Sequence, residues 1–153
     1  MEIKETLEDI LIDLLQKTSL SYSKIEILEE ENNNYTINIE SNSPSELIGS
    51  RGETIQAIQH ILKILAWKKL QTEHFNILVD VDNYRKKQEE NSLNLAKRKI
   101  AYARKTGREQ ALPPMSAYLR RKIHLYCMGP GFEDIETYSK SEGEARHLVI
   151  KLK

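Results

Sequence analysis

Two glycines, Gly49 and Gly52, bracket a short loop that restricts what the surrounding chain can fold into. Leu47-Ile48 precedes this loop, and Thr54-Ile55 follows it at the start of a long run of apolar residues at helical spacing. Because glycine has no Cβ, a sugar-phosphate backbone can pack directly against the main chain at such positions. The first amides of a helix lack intrahelical partners and its dipole is positive there, so a phosphate is favoured at this point. A tight turn before a helix has the same pattern, and the flanking sequence has to decide.

The residues on both sides of the loop predict a complete α+β unit. Apolar spacing predicts an amphipathic helix over residues 2–17, and alternation predicts a hairpin around the polar loop 30–34. Ser43-Pro44-Ser45-Glu46 has the pattern of a capping box with proline at the first helical position, which predicts a one-turn helix ending at Gly49. A helix to about Leu70 and a strand over residues 75–81 complete the unit.

This order of elements, α-β-β-α-α-β, matches a KH domain of type II, and the match covers every element rather than the loop alone. A KH groove takes about four nucleotides across its G-x-x-G loop and the adjoining sheet edge. The residues expected to contact RNA are therefore Ile48, Gly49, Ser50, Arg51 and Gly52. Ile55 fits the apolar floor of such a groove, and it fits the core at least as well.

The second half of the chain predicts a small α/β domain of two helices and two strands. One helix begins at Tyr84-Arg85-Lys86-Lys87 and ends near Lys105, before Thr106-Gly107. A second helix is predicted over about residues 116–127, with strands over 135–139 and 146–150 around a turn at Gly143. The buried stripe of the second helix is predicted to consist of Met115, Leu119, Ile123 and Tyr126.

Arg120 and His124 stand four residues apart in the second of these helices, on one flank of its apolar stripe. A guanidinium binds phosphate with a rigid fork of donors or stacks on a base, and an imidazole donates or stacks beside it. The pattern Arg-x-x-x-His therefore indicates a second nucleic-acid contact, although such pairs also occur on solvent faces without a ligand. Arg121 points roughly away from the stripe and is expected to be a solvated charge.

The formal net charge of zero hides a division between the two halves. Residues 1–82 contain 7 Lys and Arg against 15 Asp and Glu, whereas residues 83–153 contain 16 against 8, so the halves carry −8 and +8. The sequence thus predicts two domains, 1–82 and 83–153. A basic domain attracts a polyanion and an acidic one limits non-specific association. The alternative is that the two halves attract each other without any ligand.

Several function classes have little support in the sequence. No apolar run approaches the roughly 18 residues that span a bilayer, and we expect no secretory leader. A single cysteine, Cys127, excludes an internal disulfide and favours the cytoplasm. The four histidines show no metal-ligand spacing, so neither a metal nor a cofactor is expected. Asp80 and Asp82 fit a carboxylate pair, but they equally fit helix capping or an ion pair with Arg85, and we do not expect an enzyme.

The whole chain resembles the bacterial Jag family, also called KhpB or EloR, whose members join a KH domain to an Arg-x-x-x-His domain. The resemblance rests on five motifs: residues 47–52, Asp82-Asn83-Tyr84-Arg85, Pro114-Met115, residues 120–124, and Thr137-x-Ser139-x-Ser141-x-Gly143-x-x-Arg146. The family usually has a lysine where Ser50 stands. Its longer members carry an N-terminal Jag domain, which we expect this chain to lack because it begins at the KH helix.

The resemblance implies a cytoplasmic RNA-binding regulator linked to cell elongation or division. It implies single-stranded RNA as the ligand, with single-stranded DNA as an alternative, and often a small single-KH protein as partner. It places no segment of the chain in the membrane. Two other functions remain open: a protein-interaction adaptor whose KH fold binds a partner instead of RNA, and a metal-independent nuclease.

Overall fold

Two three-stranded sheets, each with its own core, organise the chain in a computed structural model that describes residues 2–72 and 74–153. The contacts divide the molecule into two units, Met1–Arg85 and Lys86–Lys153. The predicted boundary between residues 82 and 83 stays a prediction about domains that fold independently. Among the described residues, none of the helices combines the length and apolar character needed to cross a bilayer.

The first unit has the predicted order of elements. It consists of α1 (Ile3–Lys17), β1 (Lys24–Glu30), β2 (Asn34–Glu40), α2 (Pro44–Ile48), α3 (Glu53–Leu70) and β3 (Asn76–Val81). The sheet order is β1-β2-β3, with an antiparallel pair from the hairpin and a parallel pair between β2 and β3. The α+β prediction and its α-β-β-α-α-β order are therefore confirmed.

The core of the first unit follows the periodicities that predicted its elements. Leu7, Leu11 and Leu15 form the buried face of α1, and alternate residues of β2 and β3 are buried beneath the helices. Ile55, which the sequence left between groove and core, is only 1% exposed and belongs to the core together with Ile58, Leu62 and Ala66 of α3. The loop before α3 is thus mounted on a helix that is anchored along its whole length.

The second unit contains the predicted helices and strands and one further strand. Its elements are α4 (Tyr84–Thr106, whose first two residues belong to the first unit), β4 (Gln110–Ala111), α5 (Ala117–Cys127), β5 (Ile135–Lys140) and β6 (His147–Leu152). The sheet order is β4-β6-β5, and both pairs are antiparallel. The sequence analysis predicted no strand at β4, because two residues before Leu112-Pro113-Pro114 are too few to show alternation.

The buried face of α5 differs from the predicted stripe. Leu119, Ile123 and Cys127 are buried, whereas Met115 and Tyr126 are half-buried at its edge. Tyr126 packs against Phe132 with ring centroids 4.9 Å apart and lies 5.7 Å below the Lys97 ammonium. A large aromatic ring with a polar tip suits such a rim, and the small Cys127 thiol takes the interior position instead.

Candidate nucleic-acid interface

The loop between α2 and α3 can be formed only with glycine at its first position. Gly49 has φ +70° and ψ −174°, a region of backbone conformation that is essentially restricted to glycine. A Cβ at this position would lie 2.2 Å from Oγ1 of Thr54 and 2.9 Å from the Thr54 backbone nitrogen. The main chain therefore passes directly over the start of α3, and nothing but backbone separates that helix end from a ligand.

Ser50 and Arg51 form the exposed tip of the loop. Arg51 has φ +54°, a left-handed conformation that costs a residue with a side chain about 1–2 kcal/mol. Gly52 continues the left-handed path with φ +79° and is the N-cap of α3, with no side-chain cap on that helix in the described part of the chain. The amides of its first turn therefore face the loop, where an anion finds both donors and the positive end of an 18-residue helix.

Ile48 ends α2 immediately before the loop and is half-buried against the core of the first unit. It is placed beside Gly49 with part of its side chain accessible, unlike Leu47, which is fully buried. The loop tip is therefore polar and cationic, and an apolar surface adjoins it. This combination suits a nucleotide, whose phosphate and base need different environments.

The predicted capping box before α2 is not formed within the described residues. Ser43 precedes Pro44 as expected, but its side chain caps nothing, and its ψ of 60° is far from the extended conformation of an N-cap. Its carbonyl oxygen accepts from the Glu46 amide at 3.2 Å, and its own amide donates to Ser41 Oγ at 3.0 Å. A backbone turn therefore begins α2 in place of the side-chain cap, with proline in the predicted position.

Arg120 is held against the second unit's sheet by two hydrogen bonds. Its Nε donates to the Met115 carbonyl oxygen at 3.2 Å, and its Nη1 donates to Ser139 Oγ at 3.1 Å. The side chain is half-buried, so the guanidinium plane is fixed while part of it reaches the surface. Ser116 caps the helix by accepting from the Leu119 amide at 3.3 Å, which sets the helix start from which Arg120 projects.

His124 lies one turn further along α5 and is exposed. Its Nδ1 hydrogen bonds with Oγ1 of Thr137 on β5. Because one ring nitrogen is engaged in this way, the ring orientation is set and Nε2 is turned to the other side of the imidazole. The structure therefore brings Arg120 and His124 together along one helix flank, as predicted, and attaches both to the same strand.

Thr137 and Ser139 complete this arrangement and were not predicted to take part in the site. They are two residues apart on β5, so their hydroxyls project from the same face of the strand. The signal in the sequence was the alternation Thr137-x-Ser139, which the analysis used only as part of a family resemblance. Arg121, by contrast, is exposed on α5, as expected for a solvated charge.

The groups considered for catalysis have structural surroundings. Asp80 accepts from the Arg85 amide at 3.2 Å and from the Val81 amide at 2.9 Å, so it caps the start of α4 as one of the predicted alternatives had it. Burial raises the pKa of the Cys127 thiol to about 11, which keeps it protonated and unreactive at neutral pH. The described residues contain no cluster of His, Cys, Asp or Glu that would hold a metal ion.

Comparison with known proteins agrees with the geometry of both units. Residues 4–79 match the family model described as KhpA/KhpB, KH domain, and residues 90–152 match the family model of the Arg-x-x-x-His domain. The chain is 31% identical to the RNA-binding protein KhpB of Clostridium symbiosum, over 98% of this chain and 68% of the relative. This chain belongs to the KhpB family.

Two further KhpB relatives show how much of a family member is represented. The identity to the RNA-binding protein KhpB of Bacillus subtilis (strain 168) is 38%, over 70% of this chain and 51% of that protein. The identity to its namesake from Lactiplantibacillus plantarum is 26%, over 77% of this chain and 36% of that protein. The chain thus spans about half and about a third of the length of these two KhpB proteins. The G-x-x-G loop lies in the KH match, and Arg120 and His124 lie in the Arg-x-x-x-His match.

Proposed function

We propose that this chain is an RNA-binding regulator that holds single-stranded RNA at the G-x-x-G loop and at the Arg120–His124 flank of α5. The observation that carries the proposal is the Gly49 backbone, which leaves no room for a side chain between the loop and the first turn of α3. The printed names of the relatives, each an RNA-binding protein, support the same ligand. Single-stranded DNA is the alternative ligand, and the 2′-hydroxyl is the group that distinguishes the two.

At the loop, the phosphate backbone of the RNA lies against Gly49 and Gly52 and accepts from the amides at the start of α3. Arg51 supplies a charge from the exposed tip. Ser50 is smaller than the lysine usual in the family and supplies no charge, so this contact depends on the main chain more than on Coulombic attraction. Ile48 then offers an apolar surface to the adjoining base.

At the Arg-x-x-x-His site, the Arg120 guanidinium contacts a phosphate or stacks on a base, and the His124 ring donates or stacks beside it. Ser139 and Thr137 hold both side chains before any ligand arrives. The entropy of ordering them is thus lost on folding and not on binding, which favours affinity. The excess of positive charge in residues 83–153 attracts the RNA to this half of the chain.

We propose a small single-KH protein as the partner of this chain. Two observations support it: the matched model is described as covering the KH domains of both KhpA and KhpB, and α3 carries an exposed apolar face on the side opposite the core. That face consists of Ile61, Ile64, Leu65 and Trp67, each at least 41% exposed. An apolar group of this kind on one helix is typical of a protein-protein contact.

The cellular role that we propose is post-transcriptional regulation in the cytoplasm, linked to cell elongation or division. It rests on the family resemblance, and the chain acts in it by binding and not by catalysis. An adaptor that binds only protein, and a metal-independent nuclease, are the competing functions. Both make different predictions for RNA, so one binding experiment separates the three.

The test is filter binding of a mixed single-stranded RNA pool, at stated salt, to the wild type and to a Ser50→Asp/Arg51→Asp variant. The two carboxylates stand on the phosphate path and leave both glycines in place, so we expect the affinity to fall at least about tenfold. The melting temperature should not change, since both side chains are exposed. Equal affinity of a folded variant contradicts the clamp, RNA degradation favours a nuclease, and absence of binding by the wild type favours an adaptor.

A further inference from the structure

The G-x-x-G loop is contacted by an aromatic side chain from outside the predicted KH segment. A Cβ built on Gly52 would lie 3.3 Å from Cε1 of Tyr84, the first residue of α4. Gly52 is buried although its neighbours Ser50 and Arg51 are exposed. The Tyr84 ring thus covers the second glycine of the loop, and both residues belong to the first unit.

Each glycine of the loop is therefore restrained by one side chain. Thr54 lies against Gly49, and Tyr84 lies against Gly52. A segment with two glycines and a left-handed Arg51 has many accessible backbone conformations, and its ordering on binding carries an entropic cost. Contacts at both glycines reduce this cost before the RNA arrives.

The position of Tyr84 is itself determined by the residue that follows it. The Arg85 amide donates to the Asp80 carboxylate at 3.2 Å, and its Nε donates to the Val79 carbonyl oxygen at 3.0 Å. Its Nη2 also reaches Gln59 Oε1 on α3 at 3.3 Å, the same oxygen that accepts from the Val79 amide at 2.9 Å. The start of α4 is thus attached to β3 and to α3 at once.

The turn before α4 has a conformation that aims this helix start. Asp82 and Asn83 have φ values of +48° and +57°, and the Asp82 amide donates to the Ile39 carbonyl oxygen at 3.0 Å. Aspartate and asparagine tolerate the left-handed region better than other residues with a side chain. The segment Asp82-Asn83-Tyr84-Arg85 therefore reverses the chain at the end of β3 and directs an aromatic ring onto the loop.

We propose that Tyr84 is a positioning residue for RNA binding: its ring holds the G-x-x-G loop in the conformation that accepts the phosphate backbone, and Arg85 anchors the ring. This inference rests on the proposed RNA clamp and adds to it a residue that lies outside residues 1–82. The KH clamp of this chain therefore extends through Arg85, into the start of α4.

The test compares four variants of the full chain with the wild type in single-stranded RNA binding and thermal unfolding. They are Tyr84→Ala, Tyr84→Phe, Tyr22→Ala and the Ser50→Asp/Arg51→Asp clamp variant. Tyr22 is the matched control, because it is also a half-buried tyrosine packed on the core of the first unit and it is not among the nearest neighbours of either loop glycine. Hydrogen exchange of the Gly52 and Glu53 amides reports on the loop without RNA.

We expect Tyr84→Ala to weaken binding about three- to tenfold, as the loop becomes ordered only on binding. The loop amides should exchange faster in this variant, and Tyr84→Phe should restore both readouts because it keeps the ring. Tyr22→Ala should lower the melting temperature and leave the affinity unchanged. If Tyr84→Ala fails to fold, Tyr84→Leu provides the same comparison with apolar volume retained.

Two outcomes would overturn the inference without affecting the clamp. The first is unchanged affinity and loop exchange in a folded Tyr84→Ala or Tyr84→Leu variant while the clamp variant loses binding. The second is an equal loss of affinity in Tyr22→Ala, which would reduce the effect to general stability. Wild-type affinity in the clamp variant overturns the proposed clamp itself and the role of Tyr84 with it.

Discussion

The two units present nucleic-acid sites of opposite construction. The first unit uses main chain: two glycines leave a bare backbone over the start of α3, and a Cβ at Gly49 would collide with Thr54 at 2.2 Å. The second uses side chains: Arg120 and His124 project from α5 and are oriented by hydroxyls of β5. A site made of backbone is damaged by adding atoms, whereas a site made of side chains is damaged by removing them.

The electrostatics of the two sites differ in the same way. The first lies in the half with a net charge of −8 and has Arg51 at its tip, so its attraction for phosphate depends on amides and on a helix end. The second lies in the half with a net charge of +8, where long-range attraction adds to the local contacts. Salt should therefore act mainly on the second site, and backbone geometry mainly on the first.

The largest effect is expected from Gly49→Ala. The added methyl group collides with Thr54, and the conformation at φ +70° and ψ −174° is strained for any residue with a Cβ. We expect the loop to change its path, with a loss of about 1–3 kcal/mol in unfolding free energy and a loss of RNA affinity greater than about tenfold. Urea unfolding and RNA titration of the full chain measure both quantities.

Gly107→Ala is the matched control for Gly49→Ala. Gly107 has φ +71°, almost the same as Gly49, but an added Cβ there has no atom within 4 Å. Its stability loss therefore reports the cost of the left-handed conformation alone, and its RNA affinity should remain close to that of the wild type. If the two variants lose affinity equally, the steric argument for a bare backbone at Gly49 is wrong.

Arg120→Ala should have an intermediate effect, with the opposite signature. Removing the guanidinium deletes a phosphate contact, so the log–log slope of affinity against salt should become shallower by about 0.7. The affinity should fall about three- to tenfold, as expected for one charge-assisted hydrogen bond. A titration between roughly 50 and 200 mM salt gives both values.

Arg121→Ala is the matched control for that titration, since it removes the same charge from the adjacent, exposed position. It should leave the affinity almost unchanged. Should Arg121→Ala alter the slope as much as Arg120→Ala does, the second site would be a diffuse basic surface and not an oriented pair. The comparison between the units would then rest on net charge alone.

The fold could be predicted from the sequence where periodicity was strong and where turns had distinctive residues. Leu7, Leu11 and Leu15 repeat at helical spacing, and alternation in β3 is complete, so both elements were found with nearly correct ends. The two-residue β4 was missed because its pairing with β6 depends on tertiary contact and not on a local pattern. The stripe of α5 was placed slightly wrong at Tyr126, because hydrophobicity does not tell a core position from a rim.

The site could be predicted only in the parts that lie close together in the chain. The G-x-x-G loop and the Arg120–His124 spacing are local, and the structure places both as expected. Ser139 lies 19 residues from Arg120, and Tyr84 lies 32 positions after Gly52, so no local pattern connects these partners. The capping box at Ser43 failed for a related reason: a Ser41 hydroxyl and the Glu46 amide engage its backbone and determine its conformation.

The smallest expected effect concerns how the two cores respond to alkaline pH. Cys127 is buried in the second unit, and burial raises the pKa of its thiol from an ordinary value of 9.0 to about 11. Tyr35 is buried in the first unit, and burial and then Glu29 raise the pKa of its phenol above its ordinary 10.0. In both cases the folded state binds the proton more tightly than the unfolded state. The resulting stability is fully present below the ordinary pKa and is lost as pH rises towards the folded one.

As the pH rises, the second unit should therefore lose stability first, beginning near the ordinary pKa of a thiol. At about pH 10 the wild type should have lost about 1 kcal/mol through Cys127 relative to neutral pH. Urea unfolding of the wild type and of Cys127→Ala at both pH values isolates this contribution, because the variant lacks the thiol but keeps every other titrating group. The difference in unfolding free energy between the two proteins should shrink at the higher pH. A difference that is independent of pH would mean that the Cys127 thiol titrates alike in the folded and unfolded chains, and the second core would then be no more sensitive to alkali than the first.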